Sequence, residues 1–485
     1  MTRLVDREAE VRDLRELAGR PGRKLALLYG RRRIGKTHLL THAWEDGTPV
    51  LYYTASATTP EINRRALLAE AGHWSGAELR PEDHPTWRTT FRSIFDLHPD
   101  QDAVVVLDEF QYLGTGSEGM AEVASELNAV WEGDLRRERG LLVVLSGSAV
   151  RTMRALEAGG SPLFGRLDWR RRLRPFDYFD AGLMVPGYGP EDRVRTYGAF
   201  GGTPMYLSLV DDDRPLPDNI IDLLLAPDGR VRLQVETALE QEEGLREVDT
   251  YRAILAAVGL KRRERGEIAA ALGRPSDSGL QRMVKELVRL DYLEEERNFD
   301  APSNQALRYR LADPAQRVYY GMALANESAV ASAGPRTVWE ERLAGATWPS
   351  YLGREVFEDV AGEAYLRRQR EGGLPVVEEW GRWEGSDREG EPVEIDVVAR
   401  VVDGRILSGA VKMSSRPVGA RLWREHVRNL ERLATSGHGW ARAALGPDAP
   451  FFFVSAAGFT DAFRRSVAEE RERPVIAWSV ADLFG

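Results

Sequence analysis

The sequence predicts an α/β protein of several domains: a P-loop NTPase sheet, a winged helix-turn-helix, and a second α/β domain at the C-terminal end. Three observations carry this. The octapeptide Gly30-Arg31-Arg32-Arg33-Ile34-Gly35-Lys36-Thr37 follows the apolar run Lys24 to Tyr29. Apolar runs at 49–54, 103–110 and 141–148 alternate with helix-like stretches, the pattern of a doubly wound, mostly parallel sheet. Residues 353–412 then read as a helix followed by three apolar runs, the last two carrying Asp396 and Lys412.

The octapeptide reads as strand, glycine-rich loop and helix, the helix running from Thr37 to Trp44. In such a loop the glycines let the backbone N–H groups turn toward a phosphate chain, and the helix N-terminus adds partial positive charge. Lys36 is expected to reach the terminal phosphates and Thr37 to ligate magnesium. The cofactors expected are therefore ATP or ADP with Mg2+, held by Gly30 to Thr37 and His38. A second strand is expected at 49–54 and a helix at 61–71. In a doubly wound sheet ligands sit at the carboxyl ends of the strands. That edge would carry Asp108, Glu109, Ser146 and Ser148. Asp108 is expected to share magnesium with Thr37, and Glu109 to orient and deprotonate the attacking water. Ser146 or Ser148 is expected to sense the γ-phosphate or that water.

A chain of 485 residues has room for about three domains. Its 43% hydrophobic and 29% charged residues fit a folded globular protein. No apolar stretch approaches the roughly 20 residues that span a bilayer, and residues 1–7 hold no apolar signal core, so a cytoplasmic location without membrane contact is expected. With no cysteine, thiolate metal sites and thiol nucleophiles are excluded. The net charge of −10 confines any nucleic-acid contact to a local basic patch. Only five lysines occur, at 24, 36, 261, 285 and 412, against 66 basic residues in all. Where arginine is so favoured, a lysine marks a place suited to a compact point charge.

The order Leu4-Val5-Asp6-Arg7-Glu8-Ala9-Glu10, the phosphate loop, Asp108-Glu109, Gly147-Ser148, Phe164-Gly165-Arg166 and Gly201-Gly202-Thr203-Pro204 resembles the archaeal-type ATPases of the STAND class of AAA-related switch NTPases. The resemblance covers roughly residues 1–320. It implies an ATPase core over 1–180 and a helical lid over 181–247. It also implies that Val5, Asp6 and Arg7 lie by the adenine, that Gly202 to Pro204 pack on the base, and that Arg166 stands beside the nucleotide to stabilise charge in phosphoryl transfer.

Residues 248–330 carry a different pattern. Helices are expected at 251–258, 265–272 and 280–290, with wing strands at 292–297 and 307–311, which together make the winged helix-turn-helix. Arg282, Lys285 and Arg289 share one face of the third helix. Over 250–311 twelve basic residues stand against nine acidic ones, a net of +3. Two readings stand: phosphate contacts to DNA, or a solvated face on a domain that packs within the chain.

Pro335 and the looser run that follows suggest a linker over 331–350. Beyond it, a helix at 353–368, strands at 376–383, 393–400 and 406–412, and the placement of Asp396 and Lys412 resemble the restriction-endonuclease-like domain found at the C-terminus of many archaeal-type ATPases. The resemblance covers 351–485 and implies a metal site at a scissile phosphate. Glu358, Asp396 and Lys412 are the residues expected there. The carboxylate expected two residues before the lysine is replaced by Ala410, and Glu394 is expected on the opposite face of its strand. A degenerate nuclease-like domain follows from this.

The function expected is that of an ATPase acting as a nucleotide-dependent switch, possible partners being DNA and further copies of the chain. Two alternatives remain at this level: an ATP-gated, metal-dependent DNA nuclease, and a non-hydrolysing nucleotide-bound regulator.

Overall fold

A computed structural model describes residues 5–98, 101–133, 139–242, 245–469 and 473–485; Leu4 of the N-terminal motif lies outside them. The chain divides into two compact units, one reaching Pro175 and the other made of Phe176–Gln241 and Leu245–Gly485. Among the described residues no helix is long and apolar enough to cross a membrane.

The first unit is built on five parallel strands, β1 (Arg23–Tyr29), β2 (Val50–Thr54), β3 (Ala103–Asp108), β4 (Leu141–Gly147) and β5 (Trp169–Arg172). Their order is β2-β3-β4-β1-β5. Side chains alternate across a strand with period two, so each strand feeds two layers. Leu25, Leu27, Val105, Leu107, Val143 and Leu145 pack beneath helices Pro60–Ser75, Trp87–Phe95 and Gly116–Glu132. Ala26, Leu28, Val104, Val106, Leu142 and Val144 pack beneath helices Glu8–Ala18 and Lys36–His42. The helix after the phosphate loop thus ends at His42, two residues before the expected Trp44. Strand β5 lies inside the arginine run 166–174, where charged side chains suit a sheet edge.

In the second unit, helices Tyr178–Leu183, Pro190–Phe200 and Arg230–Glu236 occupy the segment expected as a lid. Helices Val248–Val258, Arg265–Ala271 and Ser278–Arg289 follow. With them goes an antiparallel sheet of β6 (Arg263–Glu264), β7 (Leu293–Glu296) and β8 (Arg308–Leu311), ordered β6-β8-β7.

The expected linker is not loose. Residues 335–371 run through consecutive helical segments from Pro335–Val338 to Glu358–Glu371, burying Trp339, Leu343, Trp348 and Tyr351. Pro335 and Pro349 sit in the first turn of their segments, where a missing N–H costs little. That is why prolines read as breaks in the sequence mark starts in the structure.

The last sheet is ordered β13-β12-β11-β10-β9 and comprises β9 (Val377–Ser386), β10 (Pro392–Val401), β11 (Ile406–Lys412), β12 (Phe451–Ser455) and β13 (Val475–Ser479). The β9-β10-β11 portion is antiparallel and the remainder parallel. Helix Arg421–Thr435 covers one face with Leu422, Trp423, Leu430 and Leu433. Tyr365 of helix Glu358–Glu371 stacks on Trp380, Phe452 and Trp478 from the other.

Candidate functional site

Strand β1 is buried over its last five residues and delivers Gly30 at the sheet edge. A Cβ on Gly30 would lie 2.3 Å from the Leu173 carbonyl oxygen and 2.4 Å from Ile34 Cδ1. Glycine is required there for close approach. Gly35, with φ at 88°, and Arg33, with φ at 70°, supply the left-handed turns that bring the loop back. Ile34, 2% exposed, anchors the loop tip in the core.

Lys36 is buried, and its Nζ donates to the carbonyls of Gly30 (2.9 Å) and Arg31 (3.0 Å). Among the described residues it has no carboxylate at ion-pair distance. Burial holds its ammonium below the ordinary lysine range, against the pull of Glu109 and Asp108. An ammonium buried without a counter-ion inside a turned-back loop is a socket for an anion.

Asp108, 1% exposed, ends β3. Its Oδ2 accepts from Thr37 Oγ1 at 2.9 Å and from Tyr52 OH at 2.7 Å. Burial first, and then Asp108 itself, push the Tyr52 hydroxyl far above the ordinary phenol range, so it stays a donor. Glu109 follows in a left-handed conformation, φ 52°. Its Oε2 accepts from Ser148 Oγ at 2.6 Å, from Ser148 N at 3.3 Å and from Gln111 Nε2. Gly147 leaves room for Gln111, whose Oε1 would be 2.5 Å from a Cβ there. Ser146 Oγ is buried with no hydrogen-bond partner. The hydroxyl–carboxylate pair Thr37–Asp108 is the hard-oxygen donor set that Mg2+ takes, so the residues present fit that ion.

Other expected residues are placed differently. Arg166 pairs with Glu132 at 2.9 Å, both side chains about half exposed, and is not brought onto a phosphate-loop group by any described contact. Arg7 caps helix Glu8–Ala18 in a left-handed conformation and donates to the Arg174 carbonyl at 2.6 Å, while Asp6 stands 3.6 Å from it and Val5 is half-buried. Arg32 bonds the Tyr112 hydroxyl. The His38 ring lies 4.2 Å from His42. Gly202 belongs to the second unit, where a Cβ would meet the Phe176 carbonyl oxygen at 1.8 Å and its own carbonyl accepts from Phe176 N. Gly201 has φ 65° and would crowd Asp313. The glycine pair before Pro204 therefore answers a backbone packing need within its own unit.

The arrangement has counterparts in known proteins. Residues 4–210 match an ATPase domain found predominantly in Archaea. The match spans the whole phosphate loop together with Asp108 and Glu109. Over 398 residues the chain is 26% identical to the uncharacterized protein MJECL04 of Methanocaldococcus jannaschii, covering 81% of this chain and 84% of the relative. The Walker-type ATPase PABY2304 of Pyrococcus abyssi has a similar fold, with a TM-score of 0.50 and 20% identity over 65% of this chain and 96% of that one. The ORC2 protein of Aeropyrum pernix is more distant, with a TM-score of 0.41 and 14% identity over 71% and 96% of the two chains.

The second unit holds another cluster. Carboxylate oxygens of Glu358, Glu394 and Asp396 lie within 4.8 Å of one another. The expectation that Glu394 faces away is corrected: residues two apart on a regular strand share a face. Val393 and Ile395 enter the core beneath helix Arg421–Thr435, leaving Glu394 and Asp396 together on the other side, and the register shift in β10 begins only after Ile395. Three cations already meet this cluster, Arg354 among them at 3.4 Å from Glu394 Oε2. Arg382 Nη1 stands 3.0 Å from Glu358 Oε2, and its Nη2 bonds Glu394. Lys412 Nζ donates to Asp396 Oδ2 at 2.7 Å, as does Val411 N at 2.9 Å. Burial pushes Glu358 well above the ordinary carboxyl range, with Arg382 opposing it. Burial works against the Lys412 ammonium, but Asp396 outweighs it and raises its pKa.

Arg282, Lys285 and Arg289 are exposed on helix Ser278–Arg289; Arg289 also bonds Glu286.

Sequence reading missed Tyr52 and Gln111. The tyrosine pair in β2 and the glutamine two residues after Glu109 were the available signals, since a polar side chain beside a buried strand end needs a partner.

Proposed function

We propose that the chain is an ATPase acting as a nucleotide-dependent switch, and that its second unit handles nucleic acid. The observation that carries the first part is the buried Lys36 ammonium, met only by loop carbonyls at 2.9 and 3.0 Å. Added to the ATPase-domain match, it supports a polyphosphate as the ligand. Lys36 and the loop amides of Gly30 to Thr37 bind the phosphates, with the helix dipole aiding. Thr37 and Asp108 would hold magnesium, which when bound neutralises phosphate charge. Glu109, held by Ser148 and Gln111, orients water and accepts its proton. Lys36→Ala is expected to abolish measurable ATP and ADP binding in a calorimetric titration with Mg2+. Wild-type affinity in that variant would remove the phosphate-loop assignment.

In this reading residues 181–247 form the lid, 248–330 a winged helix-turn-helix and 351–485 a restriction-endonuclease-like domain, and lid movement relays the nucleotide state. Three helices followed by an antiparallel sheet support the winged helix. The Glu358–Asp396–Lys412 placement supports the nuclease-like domain.

A second reading, an ATP-gated nuclease, is favoured by one specific observation: Glu394 stands beside Asp396 and supplies the carboxylate missing at Ala410. Three carboxylates fit a divalent cation, which would compete with Arg382 for two of them. With Mg2+ or Mn2+ and ATP, this reading expects plasmid nicking that Asp396→Asn abolishes; equal nicking by the variant rules the site out.

A further inference from the structure

A cleft of about 360 Å3 adjoins the carboxylate cluster in the second unit, and its Arg354 and Arg382 pair with cluster carboxylates. Its walls come from Leu260 to Arg262 at the end of the first helix of the three-helix segment, from Arg308 on β8, from Thr347 to Glu355, and from Arg382 and Glu384 on β9. Five cationic side chains and two carboxylates line it, and Glu296, Glu358 and Glu394 stand behind as partners of three of the cations.

The five cations are not equivalent. Arg262 is committed to Glu296 (2.7 Å) and Glu355, and Arg382 to Glu358 and Glu394. Arg308 is held by Glu384 at 3.1 Å and Asn298 at 2.7 Å. These three build the walls. Lys261 is exposed and has no ion-pair partner among the described residues. Arg354 is 62% exposed and meets only Glu394, at 3.4 Å, an ion pair that solvent screens to little value. Both heads are available to an anion. The Ser350 hydroxyl, exposed on the same wall, adds a donor.

We propose that this cleft binds the sugar–phosphate backbone of single-stranded nucleic acid, with Lys261 and Arg354 as its phosphate contacts. The volume lies within the range of ligand pockets, about 300–1,000 Å3, and suits a short stretch of backbone. A cavity of this volume takes one strand of backbone and does not enclose a duplex. Tyr351, the cleft's aromatic residue, is 3% exposed and donates its hydroxyl to the Gly198 carbonyl at 2.8 Å, so it offers no stacking platform. Recognition is therefore of phosphate and independent of base. Direction comes from the neighbouring cavity of about 410 Å3, which shares Arg262, Glu355 and Arg382 with the cleft and contains Glu358 and Asp396. A strand seated on Lys261 and Arg354 is led toward those carboxylates. The proposal deepens the nucleic-acid part of the function above and does not depend on ATP turnover.

The test is anisotropy of labelled 12-nucleotide single strands and of a duplex, titrated with full-length protein across salt concentrations. Two changes are compared with wild type: Lys261→Gln with Arg354→Gln, and the charge reversal of Arg282, Lys285 and Arg289. Each lost contact to a single strand removes about 0.7 from the slope of log K against log salt. The cleft variant is expected to bind the single strand about tenfold more weakly in low salt, with a slope shallower by about 1.4, and to retain duplex binding. Circular dichroism and melting confirm that it is folded, as neither side chain supports the core. An unchanged slope in the cleft variant overturns the proposal. If the helix-face variant at the same time loses duplex binding, the nucleic-acid reading survives without the cleft. Equal losses for single strand and duplex overturn the single-strand assignment. No binding of any oligonucleotide by wild type overturns both.

Discussion

Glu109→Gln is expected to slow phosphate release from ATP by about two to four orders of magnitude while leaving ATP affinity unchanged. That range is what a positioned general base contributes, and it corresponds to roughly 3–5 kcal/mol in the barrier. The geometry makes the substitution a clean one. Glu109 Oε2 is already an acceptor for Ser148 Oγ, Ser148 N and Gln111 Nε2. A glutamine can present its carbonyl oxygen to the same donors, so the loop after β3 is expected to keep its shape and lose only the proton acceptor. Calorimetry gives the affinity and a phosphate-release assay the rate. An unchanged rate would show that Glu109 is not the base and would favour a chain that holds its nucleotide without turnover.

What was legible in the sequence follows from how far apart in the chain the partners lie. The phosphate loop is eight contiguous residues whose glycines, lysine and threonine act through local backbone geometry, and it folds as read. The acidic pair at the end of β3 is legible because an apolar run ending in carboxylates places them at the sheet edge. Tyr52 and Gln111 were not legible as partners, because the bonds they make depend on strand order, with β2 lying beside β3 and β4 on its other side. Arg166 is a residue whose place depends on more than its motif. A motif placed it by the nucleotide, whereas its described ion pair is with Glu132 on the surface. Glu394 was misassigned against periodicity, since a period of two puts it on the same face as Asp396. The supposed linker failed for a related reason: Pro335 and Pro349 can open helical segments as well as end them, and only the burial of Trp339 and Trp348 shows which holds.

The second unit is expected to lose stability as pH rises from about 4.5 to about 8, and Glu363→Gln to remove most of that loss. Glu363, on helix Glu358–Glu371, is held by Tyr178 N and Tyr197 OH, each at 3.2 Å. Burial raises it to about 8, and the negative charges of Asp177 and Asp359 push the same way against the two hydrogen bonds. In the unfolded chain it returns to an ordinary value near 4.5. Between those two values the folded state keeps a proton that the unfolded state has released. The folded state is therefore favoured at the acid end of the window, and the advantage drains away as pH climbs through the folded value. The full displacement corresponds to roughly 4–5 kcal/mol, and relaxation around a half-buried carboxyl reduces the expected loss to about 2–3 kcal/mol. Glutamine keeps its carbonyl oxygen as acceptor for the Tyr178 amide, turns its own N–H toward the Tyr197 hydroxyl oxygen, and cannot ionise. The variant is thus expected to match wild type near pH 4.5, gain on it as pH rises, and hold its full advantage above about 8 in urea unfolding of the full chain. Tyr197 lies on helix Pro190–Phe200, which ends at Gly201 and Gly202. A variant that retained the wild-type pH dependence would assign it to another group.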